Sequence, residues 1–153
     1  MKSGIELYEP VPQKSPLIFS PRKTYEIWRY FTYMFIHIGI IHLAFNVLTQ
    51  IILGIPLELV HKFWRIALVY LSGVLAGSLL NYAIDQKTYL AGASGGVSHI
   101  SHFAGFIAGV LMGTIVLRNF RKKNWERVVW WIAVTITCLL FTTLIILNIV
   151  PHI

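Results

Sequence analysis

Four long apolar runs dominate this chain, and each is close to the length a helix needs to cross a bilayer. They cover residues 38–60, 63–84, 97–117 and 128–150. A helix rises about 1.5 Å per residue, so about twenty apolar residues span a hydrocarbon core roughly 30 Å thick. Charged residues make up only 12% of the chain against 56% hydrophobic. That is too little charge to cover a soluble domain, and it leaves lipid as the solvent. The runs predict an all-α, polytopic membrane helix bundle with about four transmembrane helices.

The charge that exists is concentrated between the runs. The formal net charge is +7, from 13 Lys and Arg against 6 Asp and Glu. One basic group is His61, Lys62 and Arg65; the other is Arg118, Arg121, Lys122, Lys123 and Arg127. Basic residues flanking apolar runs mark the cytoplasmic side of a membrane and argue against nucleic-acid binding. The turn Asp85, Gln86 and Lys87 is neutral overall and is expected on the opposite side. This alternation puts both ends of the chain on the non-cytoplasmic side, with residues 1–27 as an extended, proline-rich lead without a signal peptide or anchor of its own. Residues 28–150 form the membrane domain and 151–153 a tail. The single cysteine, Cys138, excludes an intrachain disulfide and a cysteine-based zinc site.

Polar residues within the runs are costly in lipid and point to interactions or chemistry. His42 and Asn46 stand four apart on one face of the first run. They suit either hydrogen bonding between helices or a pair of donors aimed at an oxyanion. Ser94 sits among small neighbours, Gly92-Ala93-Ser94-Gly95-Gly96, at the start of a run. It reads as a helix cap in a flexible turn or as a nucleophile beside free backbone N–H groups. A nucleophilic serine needs a base within reach, and His102 and His99 are near in sequence. Gly105, Gly109 and Gly113 follow His102 at four-residue spacing and predict a close-packing face. Ser72, Gly73, Ala76 and Gly77 predict another. The aromatic segment 28–41 (WRYFTYMFIHIGII) fits an interfacial belt or a structured loop partly sunk in the bilayer.

Taken in order, these pieces resemble the rhomboid family, in its secretase-type, animal rhomboid-related branch. WRYFTYMFIHIGIIHLAFN is similar to the family's first loop leading into its second transmembrane helix. GIPLELVH and LVYLSGVLAGSL resemble the following helices. YLAGASGGV resembles the GxSG serine motif, and HFAGFIAGVLMG the AHxxGxxxG helix, with Ser101 where alanine is usual. The resemblance implies an intramembrane serine endopeptidase acting on transmembrane proteins without metal or organic cofactor, in a multi-pass protein of the secretory pathway or plasma membrane. It implies Ser94 as nucleophile and His102 as general base. His42 and Asn46 would hold the oxyanion, Gly92 would shape the serine loop, and Gly105 and Gly109 would let the histidine helix approach the serine helix. Trp28 and Arg29 would brace the first loop.

The chain departs from the family pattern in two places. The family's first transmembrane helix is not seen, and only seven residues separate Ser94 from His102 where rhomboids have further helices. One continuous helix would hold the pair about 12 Å apart along its axis. A shortened, catalytically inactive form that binds transmembrane clients or is unstable is therefore the alternative expectation.

The charge pattern fixes an orientation that can be read directly. A glycosylation acceptor inserted in the turn 85–87 should be modified in microsomes, and one inserted in 118–127 should not. The reverse pattern would overturn the orientation.

Overall fold

The computed structural model describes residues 14–37, 40–87, 89–90, 98–117 and 124–150. A short helix α1 (Arg29–Thr32) and a 3-10 turn (Tyr33–Phe35) lead into four long helices. These are α2 (Ile40–Val60), α3 (Phe63–Ile84), α4 (Ser98–Val116) and α5 (Asn124–Ile149). Among the described residues, β pairing is limited to one antiparallel bridge between Phe19 and Leu90. By length and composition α2, α3 and α5 can cross a membrane; α4 is shorter, with its apolar part over Ile100–Val116. Its 19 residues still rise about 28 Å, close to the thickness of the hydrocarbon core.

Two helix boundaries depart from the apolar runs for local reasons. Helix α5 begins at Asn124, inside the basic stretch. Glu126 in its first turn suits the positive end of the helix dipole. The indole N–H of Trp130 donates to the Ile115 carbonyl at 3.1 Å, tying the start of α5 to the end of α4. Helix α2 runs through Pro56 to Val60. Proline lacks an N–H, so one intrahelical bond is lost there without ending the helix.

Helices α3 and α4 form the principal contact of the fold. A Cβ added at Gly73 would lie 3.1 Å from the Gly105 carbonyl oxygen, and one at Gly105 would lie 3.2 Å from the Gly73 oxygen. One turn away, a Cβ at Gly77 would lie 3.1 Å from the Ser101 oxygen. Towards the other end a Cβ at Gly109 would reach only ordinary contact with Val69. The seam therefore runs through 69, 73 and 77 on α3 and through 109, 105 and 101 on α4, antiparallel and at four-residue steps. Matching rows of this spacing give the steep crossings typical of glycine seams in lipid. Helix α5 packs against both. Ala76, Leu79, Ala108 and Leu144 form the buried centre of this three-helix unit, and Asn148 donates to the Leu79 carbonyl at 3.0 Å.

Helix α2 stands apart. Its apolar window Leu43–Val60 contains no buried residue. Its contact with α3 is light, and there Gln50 donates to the Tyr70 hydroxyl at 3.1 Å. Hydrogen bonds between membrane helices contribute only about 0.6 kcal/mol on average.

The seam predicts an asymmetry among glycines. Gly73→Ala or Gly105→Ala should destabilise the folded protein by about 1–3 kcal/mol, because neither backbone can give way. Gly54→Ala, with nothing within 4 Å of the added atom, should be neutral or slightly stabilising. Thermal unfolding in detergent micelles measures the difference. Equal effects at the two kinds of position would contradict the seam.

Candidate active site

The aromatic segment is a structured loop set against α3. Tyr30 and Tyr33 are buried, whereas Trp28 and Phe35 are exposed. The Tyr33 hydroxyl donates to the Val74 carbonyl at 2.9 Å. Ser78 donates to the Tyr30 carbonyl at 3.1 Å. Val74 lies ten residues inside the Ile84 end of α3, so Tyr33 reaches about 15 Å down that helix. Burial pushes the Tyr33 phenol well above its ordinary range. Burial, with Tyr82 nearby, pushes Tyr30 up to about 12. Both phenols stay neutral and keep their protons as donors.

The lead is strapped to this loop. Ile18 and Phe19 are fully buried. Phe19 exchanges backbone hydrogen bonds with Leu90 at 2.9 and 3.2 Å and meets the rings of Tyr30 and Tyr82 edge-on. Arg29 is buried and donates to the carbonyls of Ile18 at 2.8 Å and Ser15 at 3.0 Å. It also pairs with the Glu26 carboxylate. That hydrogen bond, helped by Lys23, holds the Glu26 pKa below its usual value despite an opposing desolvation effect. Thr32 adds a bond to the Leu17 carbonyl at 2.8 Å. Trp28, the other half of the expected brace, is about half exposed at 53% and caps α1.

The polar row on α2 continues past Asn46. His42, Asn46 and Gln50 stand at successive four-residue steps on one helix face. The bond from Gln50 to Tyr70 turns that row towards α3. The side chain of His42 lies outside the described residues, as do Gly92 and Ser94.

His102 is exposed on α4, one residue after Ser101 in the seam. Its place around the helix follows from spacing. Tyr70 precedes Gly73 by three residues, and His102 precedes Gly105 by three. Each therefore sits at the same angle from the seam on its own helix. In an antiparallel pair, equal rotations open onto the same side. By helical register, Asn46, Gln50 and His102 therefore fall on the same side of α3 and would border a trough between α2 and α4.

The depths also agree. Asn46 and His42 stand about 6 and 12 Å along α2 from Gln50, which is level with Tyr70. His102, level with the residue before Gly77, stands about 9 Å along from Tyr70. It falls between Asn46 and His42 in height. Among the described residues, α2 and α4 share no substantial packing face. Sequence reasoning missed Gln50, Tyr70 and Tyr33 as parts of this trough. Gln50 was signalled by its place eight residues after His42; the tyrosines carried no signal beyond an aromatic-rich composition. Of the expected glycines, Gly105 meets α3 directly and Gly109 makes only loose contact. Among the described residues no three His, Cys, Asp or Glu side chains are grouped as metal ligands.

Apolar helices with basic flanks and a polar trough between them define a multi-pass integral membrane protein. Residues 24–98 match the family model described as the Rhomboid domain. The chain is 32% identical over 185 positions to Rhomboid-related protein 1 of Caenorhabditis elegans, covering 87% of this chain and 52% of that protein. It is 49% identical over 109 positions to Rhomboid-related protein 2 of Mus musculus, covering 71% and 33%. It is also 46% identical over 106 positions to Inactive rhomboid-related protein 2 of Caenorhabditis elegans, covering 66% and 30%. The chain belongs to the rhomboid family, an intramembrane protease-type family that includes relatives named inactive. It spans about half the length of the worm protein and a third of the mouse one. Since 87% of 153 residues is about 133, roughly fifty of the 185 aligned positions belong to the worm protein alone.

Arg29→Met should leave the carbonyls of Ile18 and Ser15 without this partner, at about 1–3 kcal/mol for the buried Ile18 acceptor and less for the part-buried Ser15 one. Amide exchange should then accelerate over residues 15–20 and 29–36. The Glu26 contribution is present above the carboxylate's unfolded pKa and fades as pH falls through its lowered folded value, so acid should speed the same amides. Unchanged protection in Arg29→Met would show that the lead is held by other means.

Proposed function

We propose that this chain is built for rhomboid-type intramembrane serine endopeptidase chemistry on transmembrane proteins. The Ser94 hydroxyl adds to a substrate carbonyl while His102 takes its proton. His42, Asn46 and the Ser94 backbone N–H stabilise the oxyanion. His102 then protonates the leaving amine. Water, deprotonated by His102, releases the second product from the acyl-serine. What supports this reading is the helical register, which sets His102 on the same side of α3 as the α2 positions 42, 46 and 50, at a height between 42 and 46.

The dyad needs heavy atoms at about 2.6–3.2 Å. Only seven residues separate its members, and the family match ends at Ser98. The reading requires Ser94 to reach back to His102, and glycine, present at 95 and 96, is the residue type with the widest backbone freedom.

A second reading is favoured by the unburied surface of α2 and by the likeness to a relative named inactive. On it, the chain binds transmembrane clients in the trough without cutting them.

Cleavage of a transmembrane substrate by the reconstituted chain separates the two. Ser94→Ala should abolish cleavage and His102→Ala should lower it by about 10²–10⁴-fold. Asn46→Ala should lower it by about 10²–10³-fold. Background cleavage by the unaltered chain, with the substrate still co-purifying, would leave the binding reading in place.

A further inference from the structure

Asn81 is a polar residue with an unfilled requirement. It lies on α3 one turn beyond Gly77 and is fully buried. Its carbonyl oxygen accepts a hydrogen bond from the Ser101 hydroxyl at 3.4 Å, while its buried amide nitrogen has no partner among the described residues. A leucine would fill this space in lipid at lower cost, so the amide calls for a physical reason.

The reason is found in the seam. Glycines facing glycines let two helices come close and narrow their rotation at Gly73 and Gly105, but a row of like glycines at four-residue steps neither fixes the register nor holds the first turn of α4. Polar contacts stand at both ends of this surface. At one end Arg65 donates to the Val116 carbonyl. At the other, Asn81 holds Ser101, the residue next to His102. These contacts are sixteen residues apart on α3 and fifteen on α4, or about 24 and 22 Å. Two fixed points that far apart determine both slide and twist.

We propose that Asn81 is a positioning residue that sets the rotation of the first turn of α4 through Ser101, and thereby the direction in which His102 enters the trough. The latch follows from the packing alone; its consequence for catalysis rests on the protease reading. Loss of the Asn81 acceptor or the Ser101 donor frees the same end of α4. The two substitutions therefore act as one.

The test uses the full chain with Cys138→Ser, carrying Val69→Cys and Gly109→Cys. A Cβ at Gly109 would stand 4.0 Å from Val69 Cγ1, so mild oxidation should link the pair. Asn81→Leu and Ser101→Ala should each slow that link several-fold and to a similar extent, and the double variant should be no slower than either. Ser101→Thr, which keeps a hydroxyl, should restore the rate. Additive losses, or rates unchanged while circular dichroism shows intact helices, would overturn the latch. Labelling of Ser94 by a fluorophosphonate is followed in the same samples. If labelling falls in step with the link, Asn81 positions His102. If the unaltered chain never labels while the cross-linking pattern holds, the protease reading fails and the latch stands.

Discussion

The close approach of α3 and α4 at Gly73 and Gly105 is the constraint on which the rest depends. Backbone oxygens lie where side chains would otherwise stand, so the two helices can meet in only a narrow range of rotations. That rotation puts Ser101 in the seam and His102 beside it, on the side where α2 presents its polar row. It also leaves Ala104 and Ala108 buried on α4. A helix pair joined through leucines could turn by tens of degrees and keep its apolar contact. The glycine seam cannot, and so a packing feature becomes a statement about where a histidine lies.

The second organising element is the aromatic loop packed against the Ile84 end of α3. Its depth depends on hydrogen bonds that hold backbone away from lipid: Tyr33 to Val74, Ser78 to Tyr30, and Arg29 to the lead. Non-helical backbone at membrane depth is tolerated only where protein partners satisfy it. Tyr33 then floors the trough beside Gly77, whose added Cβ would lie 3.4 Å from the phenol oxygen. By contrast α2, which carries His42 and Asn46, is held lightly. The α4 wall is packed closely against α3, whereas the α2 window Leu43–Val60 contains no buried residue.

Much of this was legible in the residues. The apolar runs anticipated every long helix to within a few residues, because lipid imposes a length that no local propensity overrides. The small residues 72, 73, 76 and 77 announced the α3 side of the seam, since close approach in lipid has few other sequence solutions. The early start of α5 was not legible, because its first turn is polar and is fixed by Trp130 reaching α4. Asn81 was equally silent. A lone amide in an apolar run has no period, and its significance arises only when α4 brings Ser101 to it. Ser94 and Gly92 were named from their motif, and they lie outside the described residues.

The proposed protease chemistry requires Ser94 to come within reach of His102 across the short connection between them. It is tested most directly by Ser94→Cys with His102→Cys in the Cys138→Ser background. A disulfide requires Cα atoms within about 7 Å, whereas eight steps along a continuous helix separate them by about 12 Å. The account predicts that the pair closes rapidly on mild oxidation in a bilayer. No disulfide at 94 and 102, in a chain whose seam still cross-links, would contradict it.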